Sequence, residues 1–150
     1  MVQRIRAQRA IAVQADVSKI SDLEKLVEAA VTKFGRLDTI MANAGIMPMR
    51  TVEDTTEADF DKTFAMNVKG PYFLVQKAAP HMASGSSVIL VSTGVNRSTA
   101  VAPNYLLYAS TKGAIDQMTR VLSKGLASKG IRVNVSRRKS AERAYNVVMR

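Results

Sequence analysis

A chain of 150 residues with 47% hydrophobic and 23% charged side chains has the balance of one globular domain, long enough to bury a core unaided. It holds no cysteine and one histidine, His81, which excludes a disulfide framework, a thiol nucleophile and a Cys/His zinc cluster. The formal net charge of +10 gathers at the ends, on Arg4, Arg6 and Arg9 and on Arg137, Arg138, Lys139, Arg143 and Arg150, while the middle is nearly balanced. Only Tyr145 interleaves an aromatic ring with those charges, so no specific nucleic-acid partner is expected. Apolar runs such as Val88–Val91 are too short to span a membrane, and no apolar h-region follows the first arginines. A cytoplasmic protein without a membrane partner is the expectation.

The run AIAVQA at 10–15 ends at Asp16 and reads as a buried strand. Ser18 and Ser21 are both N-cap candidates for the helix that follows. Leu23, Leu26, Val27, Ala30, Val31 and Phe34 recur every three or four residues, giving an amphipathic helix over 21–34 stopped by Gly35. LDTIMA at 37–42 is a second strand, and Asn43-Ala44-Gly45 turns the chain out of it. Thr56 and Asp59 have capping-box spacing before a helix over 57–82, which Pro71 should kink. Val88–Val91 is a third strand, followed by a polar loop to Asn104. A helix over 105–128 is closed by Gly130, and Ile131–Val135 is a fourth strand. Alternation of strand and helix predicts parallel strands joined by right-handed crossovers, hence an α/β domain. Residues 136–150 break the pattern as a basic tail, with AYNVVM in it readable as a short frayed helix. The domain therefore occupies 1–135.

Tyr108 and Lys112 lie one turn apart on one face of the last long helix. An ammonium beside a phenol favours the phenolate, and a tyrosine so tuned moves a proton to a carbonyl oxygen or from an alcohol. Ser92 and Thr93 stand at the C-terminal end of a strand, where ligands bind in open parallel sheets. Asn67 is an amide in mid-helix, an indifferent choice for packing. The small residues of 43–45 let backbone approach a ligand closely.

In this order, Asp16-Val17, N-A-G at 43–45, M-N-V-K-G at 66–70, V-S-T at 91–93, Y-A-S-T-K at 108–112 and R-V-N-V at 132–135 resemble the classical short-chain dehydrogenase/reductase family. The resemblance runs from about Ala10 to Val135. It implies a Rossmann-like, doubly wound parallel sheet and an NAD(P)-dependent oxidoreductase that reduces a carbonyl or oxidises an alcohol. Tyr108 would be the general acid/base, Lys112 would lower its pKa and bind the nicotinamide ribose, and Asn67 would hold a water in the proton relay. Asp16 and Val17 would contact the adenine, and Asn43, Ala44 and Gly45 would line the cofactor cleft. The family's catalytic serine falls within 92–94. Strand register favours Thr93, whereas counting back from Tyr108 favours Gly94, which has no hydroxyl, so Ser92 and Thr93 both stand as candidates.

The sequence departs from the family at both ends. Its glycine-rich phosphate loop, TGxxxGxG, is not found here, and Ser136-Arg137-Arg138-Lys139-Ser140 replaces the expected Pro-Gly turn. The fold implied is a sheet lacking the family's first two strands and its last. Either 10–15 pairs directly with 37–42, or two strand widths, about 10 Å, separate them. The cofactor implied is NAD or NADP, with NADP favoured and binding impaired for want of backbone donors to the pyrophosphate. The substrate would be a small carbonyl or alcohol. The family's dimers imply a homo-oligomer through the helices 57–82 and 105–128, with Phe73, Val75, Met118 and Val121 at the contact or packed on the sheet. An inactive family fragment serving as an interaction partner is the alternative.

Overall fold

The computed structural model describes residues 10–138 and 148–149. Three parallel strands form its centre: β1 (Leu37–Ala42), β2 (Met82–Thr93) and β3 (Arg132–Arg138). With a short β4 (Val148–Met149) they make one sheet in the order β3-β2-β1-β4. The helices are α1 (Ile20–Phe34), α2 (Glu57–Phe64), α3 (Gly70–Ala78) and α4 (Leu106–Gly125). The α/β class and the parallel crossovers are as the alternation predicts.

In register, Ile40 stands beside Val88 and Val88 beside Val133, while Ala42 stands beside Leu90 and Leu90 beside Val135. These side chains meet Leu23, Val27 and Ala30 of α1, Leu74, Val75 and Ala78 of α3 and Ile115 of α4 in one core. All three helices cover the same face. The other face carries Thr39, Met41, Ser87 and Ile89, half-buried, with Arg132 and Asn134 exposed.

The expected strand at 10–15 is not formed. Ile11 and Ala12 are exposed, and the segment pairs with no strand among the described residues. The edge of β1 is taken by β4, which runs antiparallel and sets Met149 beside Ile40 and Val148 beside Met41. An apolar run becomes a strand only where a neighbour accepts its backbone hydrogen bonds, and this edge is occupied. Neither the direct pairing nor the 10 Å gap is realised. Val148 and Met149 are strand rather than frayed helix. The rest of the tail beyond Arg138 lies outside the described residues.

The helix expected over 57–82 is α2, a π-helical turn at Ala65–Lys69, then α3 and a 3-10 turn. Its proline explains the break. Pro71 has no N–H and its ring crowds the carbonyl four residues back, so Asn67 loses its ordinary helical donor. The Gly70 N–H reaches back five residues to the Ala65 carbonyl instead. Thr56 caps α2 by accepting from the Asp59 N–H at 3.1 Å, as the capping spacing predicts. Neither Ser18 nor Ser21 caps α1, whose N-cap is Lys19 with no side-chain bond. The entry is secured by Asp22, which accepts from the Asp16 N–H at 3.0 Å. Gly35 ends α1 at φ +81°, a left-handed conformation that glycine adopts without steric cost.

Candidate functional site

The C-terminal ends of β1 and β2 and the first turns of α4 converge on one cleft. Lys112 is buried and donates from Nζ to the Val91 carbonyl at 2.7 Å. Its ammonium lies 5.7 Å from the centre of the Tyr108 ring. The Thr93 hydroxyl faces the Tyr108 phenol, close enough to favour its ionised form. Thr93 Oγ1 also accepts from the Val95 N–H at 3.3 Å. Ser92 is turned away: its hydroxyl donates to the Lys112 carbonyl at 3.4 Å and is buried there. Of the two hydroxyl candidates, Thr93 is the one at the phenol.

Burial dominates the acidity of Tyr108 and raises it above the ordinary phenol value, with Tyr105 adding to the rise and the Thr93 hydroxyl opposing it. The net direction is the reverse of the lowering expected from the Tyr108/Lys112 spacing. Its physical reason is desolvation of the phenolate by burial.

Asn67 sits in the π-helical turn and is fully buried. Its Oδ1 accepts from the Ile46 N–H at 2.9 Å, and its Nδ2 donates to the Ile46 carbonyl at 2.8 Å and to Thr111 Oγ1 at 3.1 Å. Thr111 in turn donates to the Tyr108 carbonyl at 2.7 Å. The amide thus links the segment leaving β1 to the helix carrying the phenol. Gly45 packs against this link: a Cβ there would stand 3.0 Å from Asn67 Oδ1 and 3.8 Å from Lys112 Nζ. Thr111 escaped the sequence reading, although its place three residues after Tyr108 was a signal that it faced inward. Asp116 escaped it too; its carboxylate holds Asn96 and Arg137.

The residues assigned to the adenine side lie farther along the strand ends. Val17 and Ala44 line a shallow apolar depression of about 10 Å³ with Leu23, Ala42, Gly70, Pro71 and Leu74. Glycine at 70 permits this close approach, since a Cβ would come within 2.8 Å of the Val17 carbonyl. Asp16 stands beside the depression with its carboxylate engaged by the Ser18 hydroxyl at 2.7 Å and the Ser18 N–H at 3.0 Å. Those bonds hold it below the usual carboxylate range. Asn43 is buried at the end of β1 with no partner for its Oδ1. The phenol, the buried ammonium and the unpaired Asn43 Oδ1 fit the polar nicotinamide end of a dinucleotide, while the depression beside Val17 offers its base an apolar surface rather than an enclosed slot. No residues for its pyrophosphate are gathered among them. Among the described residues no group of three metal-ligating side chains occurs, and no helix is long and apolar enough to cross a membrane.

Of the helix-face residues, Val75 is core, Phe73 and Met118 pack against the core, and Val121 is exposed. Phe60, Leu106 and Val121 are the large apolar side chains that α2 and α4 leave open to solvent.

The family model described as enoyl-(acyl carrier protein) reductase matches residues 1–136. A short chain dehydrogenase of Claviceps purpurea is 38% identical over 125 residues, 83% of this chain and 47% of that protein. A blue fluorescent protein from a metagenomic library, solved in complex with NADPH, aligns at TM-score 0.85 with 32% identity, over 91% of this chain and 56% of its own. The angucycline C-6 ketoreductase LanV, solved with bound NADP, aligns at TM-score 0.77 with 34% identity, over 85% of this chain and 51% of its own. The chain spans about half the length of the curated relatives it matches. With a family match over nearly all of its length, and a parallel sheet whose strand ends gather the family's motifs into one cleft, this chain belongs to the short-chain dehydrogenase/reductase family.

Proposed function

We propose that this chain carries the proton-transfer half of a nicotinamide-dependent reduction of a carbonyl, or oxidation of an alcohol. The observation that carries it is the buried Lys112 ammonium 5.7 Å from the centre of the Tyr108 ring, with the Thr93 hydroxyl facing the phenol. Bound nicotinamide supplies or accepts the hydride. Tyr108, kept protonated by its burial, donates its proton to the oxygen of a carbonyl and recovers it from an alcohol in the reverse direction. Thr93 orients that oxygen by a hydrogen bond. Lys112 stabilises the charge left on the phenolate and offers donors to a ribose, and Asn67, whose carbonyl Pro71 cannot satisfy, positions a water behind it. Asn43, Ala44 and Gly45 form the floor of the cleft, with Asp16 and Val17 at the adenine end. NADP is favoured over NAD, since both solved relatives named above hold the phosphorylated cofactor.

The open apolar side chains Phe60, Leu106 and Val121 support a second reading, association of two copies through the helices that carry them. It is compatible with the first.

A chimera tests the main reading. The matched stretch of LanV is replaced by that of this chain, and NADPH consumption is followed with the host's ketone. Turnover is expected, and Tyr108→Phe should lower kcat by about 10²–10⁴-fold while the cofactor Kd stays within about twofold. A Phe variant that keeps its turnover identifies some other proton donor.

A further inference from the structure

Thr93 is the last residue of β2, and the 3-10 turn Gly94–Arg97 begins directly after it. Whatever fixes that turn fixes the direction of the Thr93 hydroxyl, whose Oγ1 is already tied to the turn through the Val95 N–H at 3.3 Å. Asn96 of the same turn donates from Nδ2 to Asp116 Oδ2 at 3.1 Å. Asp116 belongs to α4, one helical turn beyond Lys112 and two beyond Tyr108. Its other oxygen accepts from Arg137 Nη2 at 3.4 Å, at the end of β3. In the sheet register Arg137 stands beside Ser92. One carboxylate, largely shielded with a side chain 18% exposed, therefore joins the turn after Thr93, the helix bearing Tyr108 and the neighbouring strand.

We propose that Asp116 is a positioning residue: through Asn96 it pins the 94–97 turn, to which the Thr93 hydroxyl is tied, against α4 and so keeps that hydroxyl facing the Tyr108 phenol. Asp116 touches none of the reacting groups. Its effect passes through the turn, and the Arg137 contact holds the carboxylate in place from the opposite side. A charge-assisted hydrogen bond at this burial is stronger than a neutral one and restricts two side chains at once. Without it the turn is joined to α4 by weaker contacts, and Thr93 is free to rotate off the phenol. The proposal rests on Tyr108 as the proton-transfer group, but its test reads the Thr93–Tyr108 contact itself and needs no turnover.

The 150-residue chain is prepared with 3-fluorotyrosine, which brings phenol ionisation nearer neutral pH and reports by fluorine NMR. The Tyr108 signal is identified by its loss in Tyr108→Phe. Because the Thr93 hydroxyl favours the ionised phenol, Asp116→Ala and Asn96→Ala should each move the Tyr108 midpoint upward, by about half a pH unit or more. Loss of the Asp116 charge alone would move it downward, so an upward shift isolates the positioning effect. Asp116→Asn keeps an oxygen for Asn96 and should not show the rise. Should Asp116→Ala fail to fold, Asn96→Ala, in the outer turn, carries the test. Midpoints at or below the parent value in folded Asn96→Ala overturn the proposal, as does a rise in Asp116→Asn equal to that of Asp116→Ala. If the contact shifts as expected while the chimera's Tyr108→Phe keeps its turnover, the positioning stands and the proton-donor reading falls.

Discussion

Asn67 shows most plainly how one side chain organises the cleft. Its three hydrogen bonds satisfy both backbone groups of Ile46 and engage Thr111, with no exposure to water. Truncation leaves the half-buried Ile46 backbone groups and the buried Thr111 hydroxyl without these bonds, and an unpaired buried group costs about 1–3 kcal/mol. Asn67→Ala is therefore expected to lower the unfolding free energy by about 2–5 kcal/mol, read from urea denaturation. A loss below about 1 kcal/mol would mean that water takes over the bonds. At this scale much was legible. Spacing and motif select Tyr108, Lys112, Thr93 and Asn67, and the Lys112 ammonium lies 5.7 Å from the centre of the Tyr108 ring. The direction of the phenol's acidity was not legible, because it depends on burial, which a helical spacing does not contain. The choice between Ser92 and Thr93 was also hidden, since adjacent residues on a strand face opposite ways and only the position of α4 decides which meets the phenol.

Elements meet here through small residues and acidic caps. Alanine at position 70 improves helix propensity by up to about 1 kcal/mol, yet its Cβ would come within 2.8 Å of the Val17 carbonyl, a backbone atom. Overpacking of that kind costs about 1–3 kcal/mol, so Gly70→Ala should destabilise the chain and lower its melting temperature. A rise in that temperature would show that the Val17 segment yields. At the entry to α1, the Asp16 N–H holds Asp22 below the usual carboxylate range, and Ser18 does the same to Asp16. Carboxyls with lowered folded pKa values contribute stability that is full above about pH 4 and lost as pH falls through the folded values. The melting temperature should accordingly drop on acidification below about pH 4, and Asp22→Asn should flatten that limb. An unchanged acid limb in Asp22→Asn would assign the loss to other carboxyls, of which Asp59, held low first by Arg50, is the next in line. Helix periodicity placed α1 and α4 within a few residues. The break at Ala65–Lys69 was foreseen only as a kink, because a proline shows where a ladder fails but not which longer bond replaces it. The strand at 10–15 failed for a different reason: strand formation is a property of a pair, and β1's edge belongs to β4.

For the molecule as a whole, one face of the sheet carries α1, α3 and α4 and the other shows Met41 and Ile89 half-buried among polar neighbours. The strand ends carry the groups proposed for proton transfer, Tyr108, Lys112 and Thr93, while these 150 residues hold no TGxxxGxG to grip a pyrophosphate. Hydrogen bonds from that loop are charge-assisted and worth about 1.5–3 kcal/mol each. On the proposed reading, a site without several of them binds the cofactor orders of magnitude more weakly. The proposed function thus separates proton chemistry from phosphate binding within these 150 residues. The most direct measurement is a calorimetric titration of the 150-residue chain with NADPH at physiological salt. No saturable binding is expected at micromolar cofactor, whereas the chimera with LanV should bind; a micromolar Kd for the chain alone would contradict that separation and place a pyrophosphate site within these 150 residues.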